Sequence, residues 1–345
     1  MNLKHTLIGA VVGAFITLPA FAADVTTLRA ATWLPPSNPQ NTTVWPTWAK
    51  WVEEATEGRV KVVVEDYTGH PKTLFSAVED GILDVASTVN TYLPGRFKLP
   101  SVAEIPGEIS SAEGGSVALW KTYQEYFVEA DEYDGLKVLS MFVHGPGQMH
   151  TKFPVNTLAD MKGKKMRIGG GLVNELAARL EVTPVNAPAT KSYEMLQQGV
   201  VDGTFLPAQE QKALRLTEVT TDLTLFPKGL YTTAFTIFMN PDFFEGLSPE
   251  DQEAIMSVSG EKLARLAGSA WGAADAEGIA TAKEAGIHVV ELSPDDPRVV
   301  EMHKLAEGID QQWIKDVADR KVDAAAALAA FRKYVAEEEE KAAKP

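Results

Sequence analysis

Apolar and polar positions along this chain follow two alternating periods. Thr27 to Trp33 reads as a buried opening strand, and a proline-rich loop follows from Leu34 to Gln40. Thr42 or Thr43 is placed to cap a helix running to about Glu57, with Trp45, Trp48, Val52 and Ala55 on one face. The tryptophans of this helix read as core. Gly58 stops it, and Arg59 to Glu65 forms a second strand, which makes a β–α–β unit. Further on, Thr73 to Gly81 reads as a helix with a glycine stop, and Leu83 to Thr88 and Leu136 to Val143 as strands. Lys165 to Ile168 is a short strand, Leu172 to Leu180 an amphipathic helix, and Thr232 to Met239 another strand. After Asn240 the pattern turns helical. Ser248 caps, Pro249 takes the first helical position and Asp251 sits in the first turn of a run reaching about Ala285, with Gly260, Gly268 and Gly272 as weak points. Ile287 to Leu292 is a last strand, Asp295 to Arg298 a turn, and Ala324 to Lys344 an Ala/Glu/Lys helix. The Glu337 to Glu340 run reads as a solvated face or a frayed end.

One pattern occurs twice. Thr73 to Gly81 is followed by Ile82, Leu83 and Asp84. Tyr193 to Gly199 is followed by Val200, Val201 and Asp202. Each copy reads helix, glycine, two apolar residues, aspartate, strand, which suggests two similar α/β lobes. His144-Gly-Pro-Gly147 is the best linker between them, and a second crossing falls near Gly229 to Phe235. The strand from Lys165 to Ile168 delivers Arg167 and ends on Gly169, Gly170 and Gly171 before a helix. A guanidinium fork, a backbone without Cβ atoms and a helix N-terminus all favour a small anion. A surface arginine before an ordinary β–turn–α connection is the plainer reading of the same residues.

The rest of the composition narrows the chemistry. Lys4, the apolar run from Leu7 to Leu18 and the small residues Ala20 and Ala22 read as a secretory signal peptide over residues 1–22, so the chain is expected in the periplasm. There is no cysteine, which removes disulfides, thiolate metal sites and thiol nucleophiles together. The net charge of −15 becomes −16 without Lys4, and it disfavours nucleic acid and anionic membrane surfaces as partners. None of the six histidines stands at metal-ligand spacing from another histidine or a carboxylate on one helix turn. There is no nucleophile elbow, phosphate loop or zinc-protease helix, and Gly169 to Gly171 lacks the third glycine of a dinucleotide fingerprint. Carboxylates are abundant enough to leave a paired acid/base site open. The readings at this level are a ligand binder with no catalysis, metal or cofactor, or a periplasmic enzyme acting on an organic acid.

The segments Leu74 to Asp84, Leu158 to Arg167, Thr183-Pro184, Tyr193 to Gly203 and Phe238 to Ile255, in this order, resemble the extracytoplasmic solute-binding proteins of TRAP transporters, the family that includes the C4-dicarboxylate binder. The resemblance implies an α/β, two-lobed periplasmic-binding-protein fold with a parallel or mixed sheet in each lobe, a hinge and a long connecting helix. The lobes are expected over 23–144 with about 232–271, and over 145–231 with about 272–320, followed by a C-terminal helix over 321–345. It implies capture of a small organic acid between the lobes and delivery to the small and large subunits of an ion-gradient-driven permease; presentation to a receptor kinase is the alternative within the same fold. The family's carboxylate-binding arginine falls on Arg167, beside Gly169 and Gly170. The second arginine of sialic-acid binders falls on Gly147, their asparagine on Leu206, and a lobe-one acidic residue around Val89 or Asn90. These departures imply a smaller or more apolar monocarboxylate, or a zwitterion with its ammonium over a ring face. Trp33, Tyr92, Phe142 and Phe205 lie at strand ends or in loops that can face the cleft, and Asn90 and Gln148 can add hydrogen bonds; core packing is the competing reading for each.

Overall fold

A computed structural model describes residues 25–344; the expected signal peptide lies outside them. The strands are β1 (Thr26–Thr32), β2 (Val60–Asp66), β3 (Val85–Val89), β4 (Lys137–Val143), β5 (Gly147–Thr151), β6 (Lys165–Ile168), β7 (Thr183–Asn186), β8 (Gly203–Pro207), β9 (Asp222–Leu225), β10 (Ala234–Met239) and β11 (His288–Glu291). The helices are α1 (Trp45–Ala55), α2 (Leu74–Glu79), α3 (Ala112–Thr122), α4 (Val173–Arg179), α5 (Ser192–Gln197), α6 (Glu210–Ala213), α7 (Pro241–Gly246), α8 (Pro249–Ser257), α9 (Gly260–Glu284), α10 (Pro297–Ala306), α11 (Ile309–Asp316) and α12 (Ala324–Ala343). Among the described residues no helix is long and apolar enough to cross a membrane.

The strands form two mixed sheets, each the centre of a lobe. The first runs β2-β1-β3-β10-β4 and the second β11-β9-β5-β8-β6-β7. In each, a central strand (β1 or β6) pairs in parallel with both neighbours, and an antiparallel strand (β10 or β5) adds beyond the third. The sheets are therefore alike when read from β2 and from β7. The repeated aspartate has the same task in both. Asp84 accepts the backbone N–H of Arg29 at 2.7 Å, and Asp202 that of Lys165 at 2.8 Å. Each carboxylate ties the connection before the third strand to the parallel strand beside it.

The chain passes between lobes through His144 to Pro146, again between β9 and β10, and once more along α9. This helix has 25 residues, about 37 Å of length. It packs on α3 and β4 of the first lobe and on α6 and β11 of the second. Two glycines allow these approaches. A Cβ on Gly268 would lie 2.5 Å from the Ala112 carbonyl, and one on Gly278 2.2 Å from that of Ala208. Gly268, expected as a weak point, is thus a contact point. Gly260 does interrupt the helical run: the chain breaks at Val258 and Ser259, where Trp48 Nε1 donates to Ser259 Oγ and Ser140 Oγ donates to the Gly260 carbonyl.

Two further expectations change. The first helix is not capped by Thr42 or Thr43; Asn38 accepts the Gln40 N–H at 2.9 Å and a π turn over Gln40–Val44 leads into α1. The glutamate run of the tail is not uniformly solvated, since Glu338 is buried and receives Arg265, Lys121 and Lys341.

Candidate functional site

β6 carries Arg167 into the space between the sheets, where it is 1 % exposed. Its Nε and Nη2 donate to the Ala187 carbonyl at 2.9 and 2.5 Å, which fixes the side of the guanidinium. Its Nη1 is buried and has no hydrogen-bond partner among the described residues. Arg167 lines a small, partly enclosed cavity between the lobes. The free space open to the centre of a water molecule there is about 30 Å³, room for a water or two at most.

Both lobes, the crossings between them and α9 contribute to the walls. Trp33, Val89 and Tyr92 come from the first lobe, Gly169, Leu206 and Glu210 from the second. His144 and Tyr231 come from the two crossings, Phe235 from β10 and Trp271 from α9. The aromatic rings are held in place. Trp33 Nε1 donates to the Ser87 carbonyl at 3.0 Å, and its ring meets Tyr92 edge to face at 5.7 Å. The Tyr231 hydroxyl donates to the Phe205 carbonyl at 2.8 Å, and Phe235 packs on Trp271 with centroids 5.0 Å apart. The Tyr92 hydroxyl accepts the Ala189 N–H at 3.1 Å, a bond from one lobe to the other. Glu104 makes a second such bond: it accepts the Leu172 N–H at 3.2 Å at the start of α4, and the Ala234 N–H at 3.4 Å on its own side.

Burial sets the electrostatics. It holds His144 down at about 4, with the Arg167 charge pressing the same way against the Gly145 carbonyl, so the imidazole is neutral at pH 7. It pushes the Glu210 carboxyl up to about 8, with Asp275 adding to the rise and Arg167 opposing it. Around neutrality the cavity therefore contains the Arg167 cation and two titratable groups held largely uncharged. A buried cation without a counter-ion is costly, and an incoming anion removes that cost. The wall is otherwise mostly apolar and aromatic, which suits an anion attached to a small flat apolar body.

Of the residues expected at the site, Arg167, Gly169, Trp33, Tyr92 and Leu206 line this cavity. Gly170 lines an adjoining outer cleft of about 690 Å³, which shares Tyr92 with it. Phe205 precedes Leu206 on β8, and alternation along a strand turns it to the opposite face. Phe142 sits behind Phe235, stacked at 4.8 Å. Gln148 accepts the Phe226 N–H at 2.7 Å and faces a separate hollow beside α9. Asn90 accepts from Thr236 Oγ1 at 2.8 Å, behind the wall. Glu210, Tyr231, Phe235 and Trp271 were not expected. Trp271 had a signal, being the one large residue in the small-residue stretch Gly268 to Ala274. At Gly147 a Cβ would lie 2.3 Å from the Tyr231 ring, so the tyrosine fills the space that a side chain there would need.

Comparison with known proteins follows the same lines. The family profile described as DctP, bacterial extracellular solute-binding protein, family 7, matches residues 30–315. The outer membrane transporter protein TsaT of Comamonas testosteroni is 32% identical over 339 residues, 97% of this chain and 99% of that protein. A TRAP periplasmic solute-binding protein of Bordetella bronchiseptica, solved with (R)- and (S)-mandelate, superposes with a TM-score of 0.87 at 34% identity, covering 90% of this chain and 99% of that one. One from Rhodoferax ferrireducens T118, solved with copurified benzoate, gives a TM-score of 0.87 at 28% identity, covering 92% of this chain and 100% of that one.

Proposed function

Since the chain belongs to the bacterial extracellular solute-binding proteins of family 7, the binding components of TRAP transporters, we propose that it captures a small aromatic monocarboxylate between its lobes and passes it to a TRAP permease. The observation that carries this reading is Arg167, whose buried Nη1 has no partner among the described residues, in the wall of a small cavity lined also by Trp33, Tyr92, Phe235 and Trp271. The ligand's carboxylate meets the free end of the guanidinium, whose side is already held by Ala187. Its ring fills the aromatic part of the cavity as the walls move apart to admit it. Mandelate and benzoate in the two similar proteins support an aromatic acid. The role is capture and release outside the cytoplasm, with the ligand returned unchanged.

A melting-temperature screen of the chain without residues 1–22 tests it, using benzoate, mandelate, succinate and a sugar acid, followed by calorimetry. A ligand bound only by the folded form raises the melting temperature with its excess over Kd. Benzoate or mandelate should do so and the others should not. Arg167→Ala strands a buried carboxylate, at a cost of about 3–5 kcal/mol, and should weaken binding by at least ~100-fold. Aromatic acids that fail to bind, or that bind the variant as well as the wild type, would reject the reading.

A further inference from the structure

A carboxyl group in the wall of an anion site needs a reason. Ionised, it repels the ligand that Arg167 attracts; neutral, it is a buried polar group that costs free energy unless it is hydrogen-bonded. A leucine in its place would serve a plain aromatic acid better. Glu210 nevertheless stands at the start of α6, 4 % exposed, in the same cavity as Arg167. Gln209 Nε2 donates to its Oε1 at 3.2 Å, and among the described residues no other side chain bonds to it, so Oε2 is left for an occupant. Asp275 of α9 stands near enough to disfavour its ionised form, and Arg167 near enough to favour it. Of the wall's other polar groups, Trp271 Nε1 is likewise buried without a partner among the described residues, but an indole N–H can only donate and carries no charge that would repel an anion. The Tyr92 and Tyr231 hydroxyls already have backbone partners, and His144 and Thr233 carry no negative charge in any state.

The free oxygen constrains the ligand. A second carboxylate suits only the protonated form of Glu210, which can donate to it, and is repelled by the ionised form. A bare apolar edge leaves the carboxyl unpaired. A hydroxyl suits both protonation states, since it donates to a carboxylate and either donates to or accepts from a carboxylic acid. We propose that Glu210 is a specificity-determining residue that selects hydroxylated aromatic monocarboxylates: the ligand's carboxylate takes Arg167 Nη1, and a hydroxyl a few bonds away takes Glu210 Oε2. This rests on the aromatic-monocarboxylate reading above and names the substrate class within it.

Calorimetry on ligand-free protein with two matched pairs tests it: mandelate against phenylacetate, and 3-hydroxybenzoate against benzoate. In the wild type the hydroxylated member of at least one pair should bind at least about tenfold more tightly. Glu210→Met, close in volume but without a hydrogen-bonding oxygen, should bring that ratio to about one, with the hydroxylated acid weakened and the plain acid bound at least as tightly as by the wild type. Glu210→Gln, which retains a carbonyl and an amide, should keep most of the preference, and Glu210→Ala repeats the test with a smaller side chain. No preference in the wild type, an unchanged ratio in Glu210→Met, or equal weakening of both members of a pair overturns the inference and leaves the aromatic-acid reading standing. Failure of all four acids to bind the wild type overturns both.

Discussion

Lobe closure can be weakened without touching the ligand, because Glu104 bridges the lobes outside the Arg167 cavity. Its side chain is 1 % exposed, and its two oxygens accept the Leu172 and Ala234 amides. Glu104→Ala strands both. A buried amide without a partner costs about 1–3 kcal/mol. The Ala234 amide belongs to the first lobe, like Glu104, and is stranded whether the lobes are apart or together, so its cost cancels from closure. The Leu172 amide belongs to the second lobe and reaches water when the lobes part, so its cost falls on the closed form alone. Closure is then disfavoured by about 1–3 kcal/mol. Any ligand held only by the closed form binds roughly 5–150-fold more weakly, since apparent affinity scales with the closed fraction. The loss should be the same factor for every ligand, because no ligand contact changes. Glu104→Gln keeps one acceptor and should lose less. Gly171→Ala attacks the same contact from the other side, since its Cβ would lie 2.1 Å from Glu104 Oε2 at a φ of +78°. The double variant should lose less than the sum of the two. Calorimetry with benzoate and mandelate measures the factors, and small-angle scattering of the ligand-free protein measures the opening. Factors that differ between the ligands, or an affinity within twofold of wild type, would refute the argument.

Two predictions concern stability. Glu338→Gln removes the buried centre of an ion cluster joining α12 to α9 through Arg265 and Arg265 to Glu113 of α3, at a cost of roughly 1–3 kcal/mol because the cations are partly hydrated. These contacts hold Glu338 down at about 2, so the stability they give is present above about pH 4.5 and lost as pH falls towards 2. Urea midpoints of wild type and variant should differ at pH 7 and converge near pH 2–3. Burial holds Glu104 and Glu210 up at about 8 and Glu132 and Asp275 up at about 7. The folded chain thus keeps protons that the unfolded chain has released, and stability is lost as pH rises through 7 and 8. His144 and His150, held down at about 4, act below 6.5 and do not offset this. The melting temperature should fall between pH 6.5 and 8.5; a flat or rising profile would contradict these burials.

What the sequence reveals depends on how far apart the deciding residues lie. Arg167 could be singled out because a short apolar strand carries it to three glycines, and the family resemblance favoured an anion site over a surface arginine; the structure buries it in the cavity wall. The repeat around Asp84 and Asp202 was legible because it is local, and the two sheets share their arrangement accordingly. The choice between Phe142 and Phe235 was not. They are opposite each other on β4 and β10, and Trp271, arriving on α9, packs against both. Phe205 and Leu206 differ by one step of a strand, and register decides which of them meets the cavity. Glu210 reads as an ordinary helical glutamate; α9 passing behind it buries it. Glu338 is removed from solvent by cations that include Arg265, far earlier in the chain. α3 was not among the expected elements; nearly all of it is buried, which leaves no polar face to mark a helical period.

The place of β10 between β3 and β4 has a consequence for biosynthesis. During translation β3 emerges early and β4 follows, yet the strand that joins them lies 145 positions beyond Val89, starting at Ala234. At about 5–20 residues per second the ribosome takes roughly 7–30 seconds to cover that distance. The β3 edge waits through the whole of that interval and the β4 edge through the part after Val143, and such edges pair readily with other chains. The first sheet to be started therefore stays in two parts until β10 is made, and a fragment ending before Ala234 keeps both edges open.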